Sequence, residues 1–236
     1  MKSTTWQRWC AWSIVAFVAI YLFAFIGLAG YVPPHPPSMT GLELHAFYDG
    51  NRIGIKAGQL IGMIASCLIL LWAAPVSVQM ARIEKDRLPM LAIVQYVAAA
   101  ILVVFFMVCS MLWTIAAYRE DISPELLRML NDSGWLVFVM VFPEYVVQLG
   151  VIALVGLADK RAQPFLPRWA CFFTLWVAVA GMGGGMATFF KAGPFAWNGL
   201  LGFWVPVGMF LVWLGVLFYY LLRAIKQQEL EEAAQV

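Results

Sequence analysis

The chain has 236 residues, of which 63% are hydrophobic and 12% are charged, and its formal net charge is +2. Soluble domains carry charge on about a quarter of their residues, so this composition excludes a soluble globular protein and indicates one that lies in a membrane. The small net charge and the scattered basic residues also exclude a nucleic-acid partner.

Segments that are apolar over about 20 residues are long enough to cross a bilayer. Six such segments cover approximately residues 9–30, 57–80, 90–117, 133–158, 169–190 and 199–223. The first is longer than the apolar core of about 7–15 residues in a secretion signal, so we interpret it as a spanning helix. The sequence therefore predicts an all-α fold, in which residues 1–236 form a single polytopic transmembrane domain of six helices.

Lysine and arginine are distributed unequally between the two sets of loops. Ten of them, including Lys2, Arg82 and Arg87, lie on the side of both termini, and five lie on the other side. Because cytoplasmic loops are enriched in both residue types, we expect both termini to be cytoplasmic.

The first two extracytoplasmic loops each predict a short surface helix. In the first loop, Thr40 and Glu43 form a capping box, and the helix is expected to end at 50–51. In the second loop, Ser123 is a favourable N-cap, and the helix is expected to close at 131–132.

A resemblance to known proteins is carried by four stretches of the chain. They are Phe190 to Trp204 (FKAGPFAWNGLLGFW), Phe47-Tyr48, Asn51-Arg52 and Arg82-Ile83-Glu84. The chain resembles, over most of its length, a group of bacterial integral membrane proteins without an assigned activity. The resemblance implies a bacterial cell membrane and a six-helix bundle, and it implies no catalytic residue.

Glu144 is a costly residue in the fourth segment, because a carboxylate at the centre of a membrane helix costs about 2.5–3.5 kcal/mol on insertion scales. It lies eleven residues into the segment, which is roughly 16 Å into a hydrocarbon layer of about 30 Å. Gln148 lies one turn further on the same face. One interpretation is a substrate or proton site, and the other is a protonated carboxyl group that hydrogen-bonds across a helix interface.

The fifth segment carries the glycine run Gly181-Met-Gly-Gly184-Gly185 at a similar depth. Gly181 and Gly185 have the spacing that lets two membrane helices approach closely. Four glycines within five positions also suit an unwound segment whose carbonyl groups line a cavity. Ser66 in the second segment adds weak polarity at a matching depth.

Arg52 and Lys56 lie on one face at the outer end of the second segment. They suit the acidic head of an amphipathic ligand whose tail descends toward Glu144, but long basic side chains also snorkel to the interface. The two histidines and four cysteines have no recognised ligand spacing, so we expect neither a metal nor a cofactor.

The leading interpretation is a membrane protein that binds or transports a small hydrophobic or amphipathic molecule in a pocket between the second, fourth, fifth and sixth helices. The ligand-binding candidates are Glu144, Gln148, Ser66, Gly181, Gly184, Gly185, Arg52 and Lys56. One alternative is a membrane-embedded enzyme that acts on a lipid-like substrate with Glu144 as general acid or base. The other is an auxiliary subunit of a membrane complex. Expected partners are membrane lipids, the hydrophobic molecule, and either a second copy of the chain or a partner membrane subunit.

Overall fold

The computed structural model describes residues 3–85 and 88–234, and within those ranges it contains helices and no β-strand. Lys2 and Arg87, which the charge asymmetry of the loops includes, lie outside the described residues. The helices that are long and apolar enough to cross a membrane are Ser3–Leu28, Gly41–Glu84, Met90–Tyr118, Pro124–Ala158, Arg168–Thr188 and Leu200–Ala233. The expected all-α fold with six spanning helices is confirmed, and the chain is a multi-pass membrane protein.

Most of the spans are built from more than one helical piece. The α-helices are α1 Ser3–Leu22, α2 Gly41–Ser66, α3 Leu68–Glu84, α4 Met90–Tyr118, α5 Pro124–Val139, α6 Phe142–Ala158, α7 Arg168–Gly181 and α8 Val205–Ala233. Two π-helical turns, Phe23–Leu28 and Leu200–Trp204, and a 3₁₀ helix, Met182–Thr188, complete the first, sixth and fifth spans. The uninterrupted helix α4 packs against α2, α3, α5 and α6.

The surface helix expected after Thr40 forms, but it does not end at 50–51. Its capping box is complete, since the Thr40 side chain accepts a hydrogen bond from the Glu43 amide and the Glu43 carboxylate accepts one from the Thr40 amide. The helix then continues through a kink at Asn51, where φ is −146° and ψ is 28°. The Asn51 side-chain amide donates to the carbonyl oxygen of Leu28 at 2.7 Å, so the kink ties the second span to the end of the first.

The helix expected in the second loop also runs on into the membrane. Ser123 caps it as predicted, with its hydroxyl accepting from the Leu126 amide at 3.3 Å. Asn131, which was expected to close the helix, is buried instead, and its side-chain oxygen accepts a hydrogen bond from the Tyr48 hydroxyl at 3.2 Å. Asn131 therefore joins α5 to α2, and the helix continues past it.

The fourth span is interrupted in its interior, between α5 and α6. The interruption lies at Met140 and Val141, directly before Pro143, which has no amide donor for the preceding turn. Glu144 therefore lies in the first turn of a new helix, whereas the sequence predicted one continuous helix with Glu144 in its middle.

Polar side chains join α1, α3 and α8 at the end of the bundle where the described chain begins and ends. The Gln79 side-chain amide donates to Gln7 and to Gln228, at 2.8 Å in each case. Ion pairs join Arg8 to Glu229 at 2.8 Å and Arg82 to Glu231 at 2.6 Å. These contacts between α1, α3 and α8 explain why α8 continues to Ala233, about ten residues beyond the end expected near residue 223.

Arg52 stabilises the opposite end of the bundle. We call this the far end, and it contains the connections 29–40, 119–123 and 189–199. The Arg52 guanidinium group is buried, donates to the carbonyl oxygens of Ala117 at 3.2 Å and Arg119 at 2.6 Å, and forms an ion pair with Asp49 at 2.5 Å. The last carbonyl groups of a helix have no partner within the helix and carry partial negative charge. Arg52 therefore caps the C-terminal end of α4.

Replacing Arg52 by methionine is expected to lower the free energy of unfolding by about 2–4 kcal/mol, because the change leaves buried carbonyl groups and Asp49 without their donor. The measurement is denaturation of the detergent-purified protein. Lys56→Met is the control, since Lys56 is partly exposed and reaches the Tyr118 carbonyl only at 3.4 Å, and it is expected to change that free energy by about 1 kcal/mol or less. Equal effects of the two substitutions would contradict the capping role of Arg52.

His35 lies in the first far-end connection, inside a shell of aromatic rings. Its ring centroid is 4.3 Å from that of Phe47, 5.4 Å from that of Tyr31 and 5.8 Å from that of Trp135. The Trp197 indole donates to the His35 carbonyl oxygen at 2.8 Å. Burial lowers the pKa of the imidazole from 6.5 to about 4, so the folded protein holds it neutral near pH 7.

The low pKa of His35 predicts that acid weakens the fold. Between pH 6.5 and about 4 the unfolded state binds a proton that the folded state does not. The free energy of unfolding therefore falls as the pH drops through that range, by an amount on the order of 3 kcal/mol at its lower end. Thermal denaturation at several pH values measures the slope, and His35→Gln is expected to remove this contribution. An identical pH dependence in the variant would contradict the prediction.

Candidate functional site

Aromatic side chains fill the far half of the bundle. We call Phe25, Tyr31, Trp113, Trp135, Phe138 and Phe203 the aromatic cluster; its members come from the first, third, fourth and sixth spans and from the first connection. Ring centroids are 4.9 Å apart for Tyr31 and Trp113, and 5.2 Å apart for Trp113 and Trp135. Tilted and edge-to-face pairs of this kind stabilise each other beyond the area that they bury. The cluster is therefore a rigid wall.

Two neighbouring cavities adjoin the aromatic cluster. The larger cavity has a volume of about 320 Å³ and the smaller cavity one of about 90 Å³. Both are lined by Phe106, Phe138, Val207 and Phe210, so they lie on either side of the same few side chains. The volume of the larger cavity falls within the range of about 300–1,000 Å³ that is usual for small-molecule sites.

The larger cavity reaches the lipid-facing surface between the first and sixth spans. Its lining includes Ile26 and Trp204, each 44% exposed, and Gly208, which is also exposed. None of the described residues that line either cavity is charged. An apolar molecule dissolved in the bilayer can therefore reach this space without crossing water.

Irregular helix geometry creates the space around the smaller cavity. The sixth span begins as the π-helical turn Leu200–Trp204, and Pro206 follows in the first turn of α8. Gly202 and Pro206 both line the smaller cavity, together with Tyr145 and Gly181. The helix type thus changes just before Pro206.

The glycine run packs closely against the break in the fourth span. A Cβ atom on Gly181 would lie 2.5 Å from Cε1 of Tyr145, and one on Gly185 would lie 2.5 Å from Cε1 of Phe142. A Cβ atom on Gly184 would overlap the carbonyl oxygen of Val139. The close-packing interpretation therefore explains these three glycines, and the change from α-helix to 3₁₀ helix at Met182 coincides with them.

Glu144 and Gln148 lie together on one face of α6, as predicted. Both are buried, at 9% and 1% exposure, and Oε1 of Glu144 and Nε2 of Gln148 have no hydrogen-bond partner among the described residues. Neither of them is among the residues that line the two cavities. Their role as ligand contacts stays a prediction.

Tyr145, rather than Glu144, is among the residues that line the smaller cavity. It is the next residue along the chain, about 100° further round the helix, and its ring lines the smaller cavity. The ring also lies against Gly181 and packs edge-on to Phe210, with centroids 5.6 Å apart. The ring is 7% exposed, and its hydroxyl oxygen makes no hydrogen bond to any described residue.

The remaining predicted site residues lie apart from this region. Ser66 is buried at the end of α2, and its hydroxyl donates to the Met63 carbonyl oxygen of the same helix at 2.7 Å. Arg52 and Lys56 lie at the far end, where they bind carbonyl groups at the end of α4. The structure therefore divides the candidates into three groups, and it places Gly181 on the wall of the smaller cavity.

The aromatic lining of the larger cavity was not predicted from the sequence. Phe17, Tyr21 and Phe25 recur at a spacing of four residues in the first span, and all three line it. Residues four apart lie on one face of a helix, so this aromatic stripe was a readable signal of a shared surface. It does not distinguish a filled core from a cavity.

Comparisons with protein families, with curated proteins and with solved structures find no match for the chain. No relative therefore contributes a function or a ligand.

Gly184→Ala is expected to lower the free energy of unfolding by about 2–3 kcal/mol, because the added methyl group meets a backbone carbonyl that cannot move without shifting α5. Gly150→Ala is the matched control, since a Cβ atom there meets no atom within 4 Å, and helix propensity predicts a gain of up to about 1 kcal/mol. Denaturation of both variants in detergent measures the difference. An unchanged free energy of unfolding in Gly184→Ala would show that the glycine run does not pack against the break between α5 and α6.

Proposed function

We propose that the chain is an integral membrane protein that binds a small hydrophobic molecule in the larger cavity, taken up from the bilayer between the first and sixth spans. The observation that carries this proposal is an aromatic cavity of about 320 Å³ with uncharged walls and an opening toward the lipid. Burying apolar surface in such a space is favourable by about 25 cal/mol for each Å².

The setting that we propose is a bacterial inner membrane with both termini in the cytoplasm. The ten basic residues on the terminal side, against five on the far side, support this orientation. In it, the two cavities lie in the outer half of the membrane, because the far-end connections are extracytoplasmic.

The rigid walls favour binding of a ligand of defined shape over a loose association with lipid. Phe25 stacks on Phe138 with centroids 5.5 Å apart, and Phe106 packs edge-on to Tyr21 at 5.1 Å. All four rings line the larger cavity. Side chains held in place by such contacts lose little entropy when a ligand binds, which increases the affinity that a given apolar surface provides.

Filling the larger cavity is expected to reduce binding. Gly208 lines the cavity, and a Cβ atom there meets no atom within 4 Å, so Gly208→Leu adds a side chain to the empty space without a backbone clash. The protein in phosphatidylcholine nanodiscs is irradiated with a long-chain hydrocarbon diazirine, and labelled peptides are mapped by mass spectrometry. Labelling of the segment that contains Phe17 and Phe25 is expected to fall about tenfold.

Gly215→Leu is the control for that experiment. Gly215 lies on the same helix two turns further along, a Cβ atom there also meets no atom within 4 Å, and it lines neither cavity. Equal labelling of wild type, Gly208→Leu and Gly215→Leu would contradict the proposed function. Glu144→Gln is expected to leave the labelling unchanged. If labelling is lost in that variant, the ligand binds instead at the face of α6 that carries Glu144 and Gln148.

A further inference from the structure

A polar pocket lies at the far end of the bundle, beside the kink in the second span. It has a volume of about 560 Å³, and none of the residues that line it lines the larger or the smaller cavity. Its charged lining residues are Asp49, Arg52, Lys56 and Glu120, two of each sign. The polar pocket therefore offers partners to a negative and to a positive group at once.

Two of these four charges are already paired with each other. Arg52 forms its ion pair with Asp49 and caps the end of α4. Among the described residues, Lys56 and Glu120 form no ion pair with each other or with another side chain. Lys56 is partly exposed and Glu120 is exposed, so a ligand can reach both. They suit a ligand that carries one charge of each sign.

The unpaired charges lie at the depth of lipid headgroups. The third span ends at Tyr118, whose carbonyl oxygen is 3.4 Å from the Lys56 ammonium group, and Glu120 follows two residues later. The end of a spanning helix lies near the boundary of the hydrocarbon layer, and the charged groups of phospholipids lie just outside that boundary. A phospholipid beside the second span therefore brings its headgroup to the polar pocket.

An apolar stripe leads from the polar pocket along the lipid-facing side of α2. It begins at Ile53, which lines the pocket and is 83% exposed, and it continues with Leu60 and Ile64, which are 54% and 67% exposed. Residues that are seven and eleven positions apart lie on one face of a helix. An acyl chain can follow this stripe while its headgroup stays in the pocket, so the arrangement favours a lipid over a soluble ligand.

We infer that the polar pocket binds the headgroup of phosphatidylethanolamine, whose phosphate accepts a hydrogen bond from Lys56 and whose ammonium group donates to Glu120. One acyl chain lies along Ile53 and Leu60. Phosphatidylglycerol has no positive group for Glu120, and the trimethylammonium group of phosphatidylcholine has no N–H to donate. This lipid site is separate from the larger cavity and its hydrophobic ligand.

Three phospholipids with the same dioleoyl chains test the inference. Each is added to the detergent-purified protein, and native mass spectrometry measures the bound fraction. Wild type is expected to bind phosphatidylethanolamine more tightly than phosphatidylglycerol or phosphatidylcholine. In Glu120→Gln the affinity for phosphatidylethanolamine is expected to fall about tenfold, while that for phosphatidylglycerol does not fall, because only the ammonium group loses its partner. Lys56→Met is expected to weaken the binding of both, because both carry the phosphate.

Asp121→Asn is the matched control for Glu120→Gln. Asp121 is the next residue of the same connection, is also exposed and does not line the polar pocket, so all three affinities are expected to stay unchanged. Equal affinities of wild type for the three lipids, an unchanged affinity of Glu120→Gln for phosphatidylethanolamine, or an equal loss in Asp121→Asn would each overturn the inference.

Glycerophosphoethanolamine separates a lipid from a soluble ligand, because it carries the same headgroup without acyl chains. It is expected to displace phosphatidylethanolamine only at concentrations at least about tenfold higher than those at which the lipid binds, since it cannot cover the apolar stripe. Displacement at equal concentrations would overturn the assignment of the site to a lipid.

Discussion

A bilayer supplies no hydrogen-bond partners to the backbone, so the carbonyl groups left free at an interruption or at the end of a spanning helix need partners inside the protein. Interruptions occur in five of the six spans, whereas α4, which packs against α2, α3, α5 and α6, is continuous. The compensation is visible where side chains reach exposed carbonyl groups. Asn51 donates to Leu28 at the end of the first span, and Arg52 donates to Ala117 and Arg119 at the end of α4. Adjacent residues of the second span thus complete two other spans.

The same irregular segments determine where the interior is open. A straight helix in the sixth span would pack along its neighbours at a constant distance, but this span begins with a π-helical turn that leads into Pro206. The fifth span tightens to a 3₁₀ helix, and its glycines bring it onto the break between α5 and α6. The smaller cavity lies beside this close contact, at Gly181 and Tyr145, and the larger cavity lies between the first and sixth spans. The apolar space is a consequence of how backbone irregularities are distributed.

Local signals in the sequence predicted the parts of the fold that depend on few residues. The six spans follow from apolar length alone, and the caps at Thr40 and Ser123 follow from the types of residue near a helix start. The ends of the two surface helices could not be predicted in that way. Asn131 is typical of a turn, but the Tyr48 hydroxyl on another helix makes it part of the interior. Such a contact between residues 83 apart is not encoded in either neighbourhood.

Glu144 and Tyr145 show why the lining of the smaller cavity could not be predicted from the sequence. A sequence reveals which residues are unfavourable in a membrane, and the carboxyl group of Glu144 is the most unfavourable group in the apolar segments of this chain. A binding site requires space, and space depends on what the neighbouring helices leave unfilled. Tyr145 looks ordinary in the sequence, because a tyrosine in a membrane helix is common. It lines the smaller cavity because Gly181 and Phe210 of two other spans pack against its ring and line the same space.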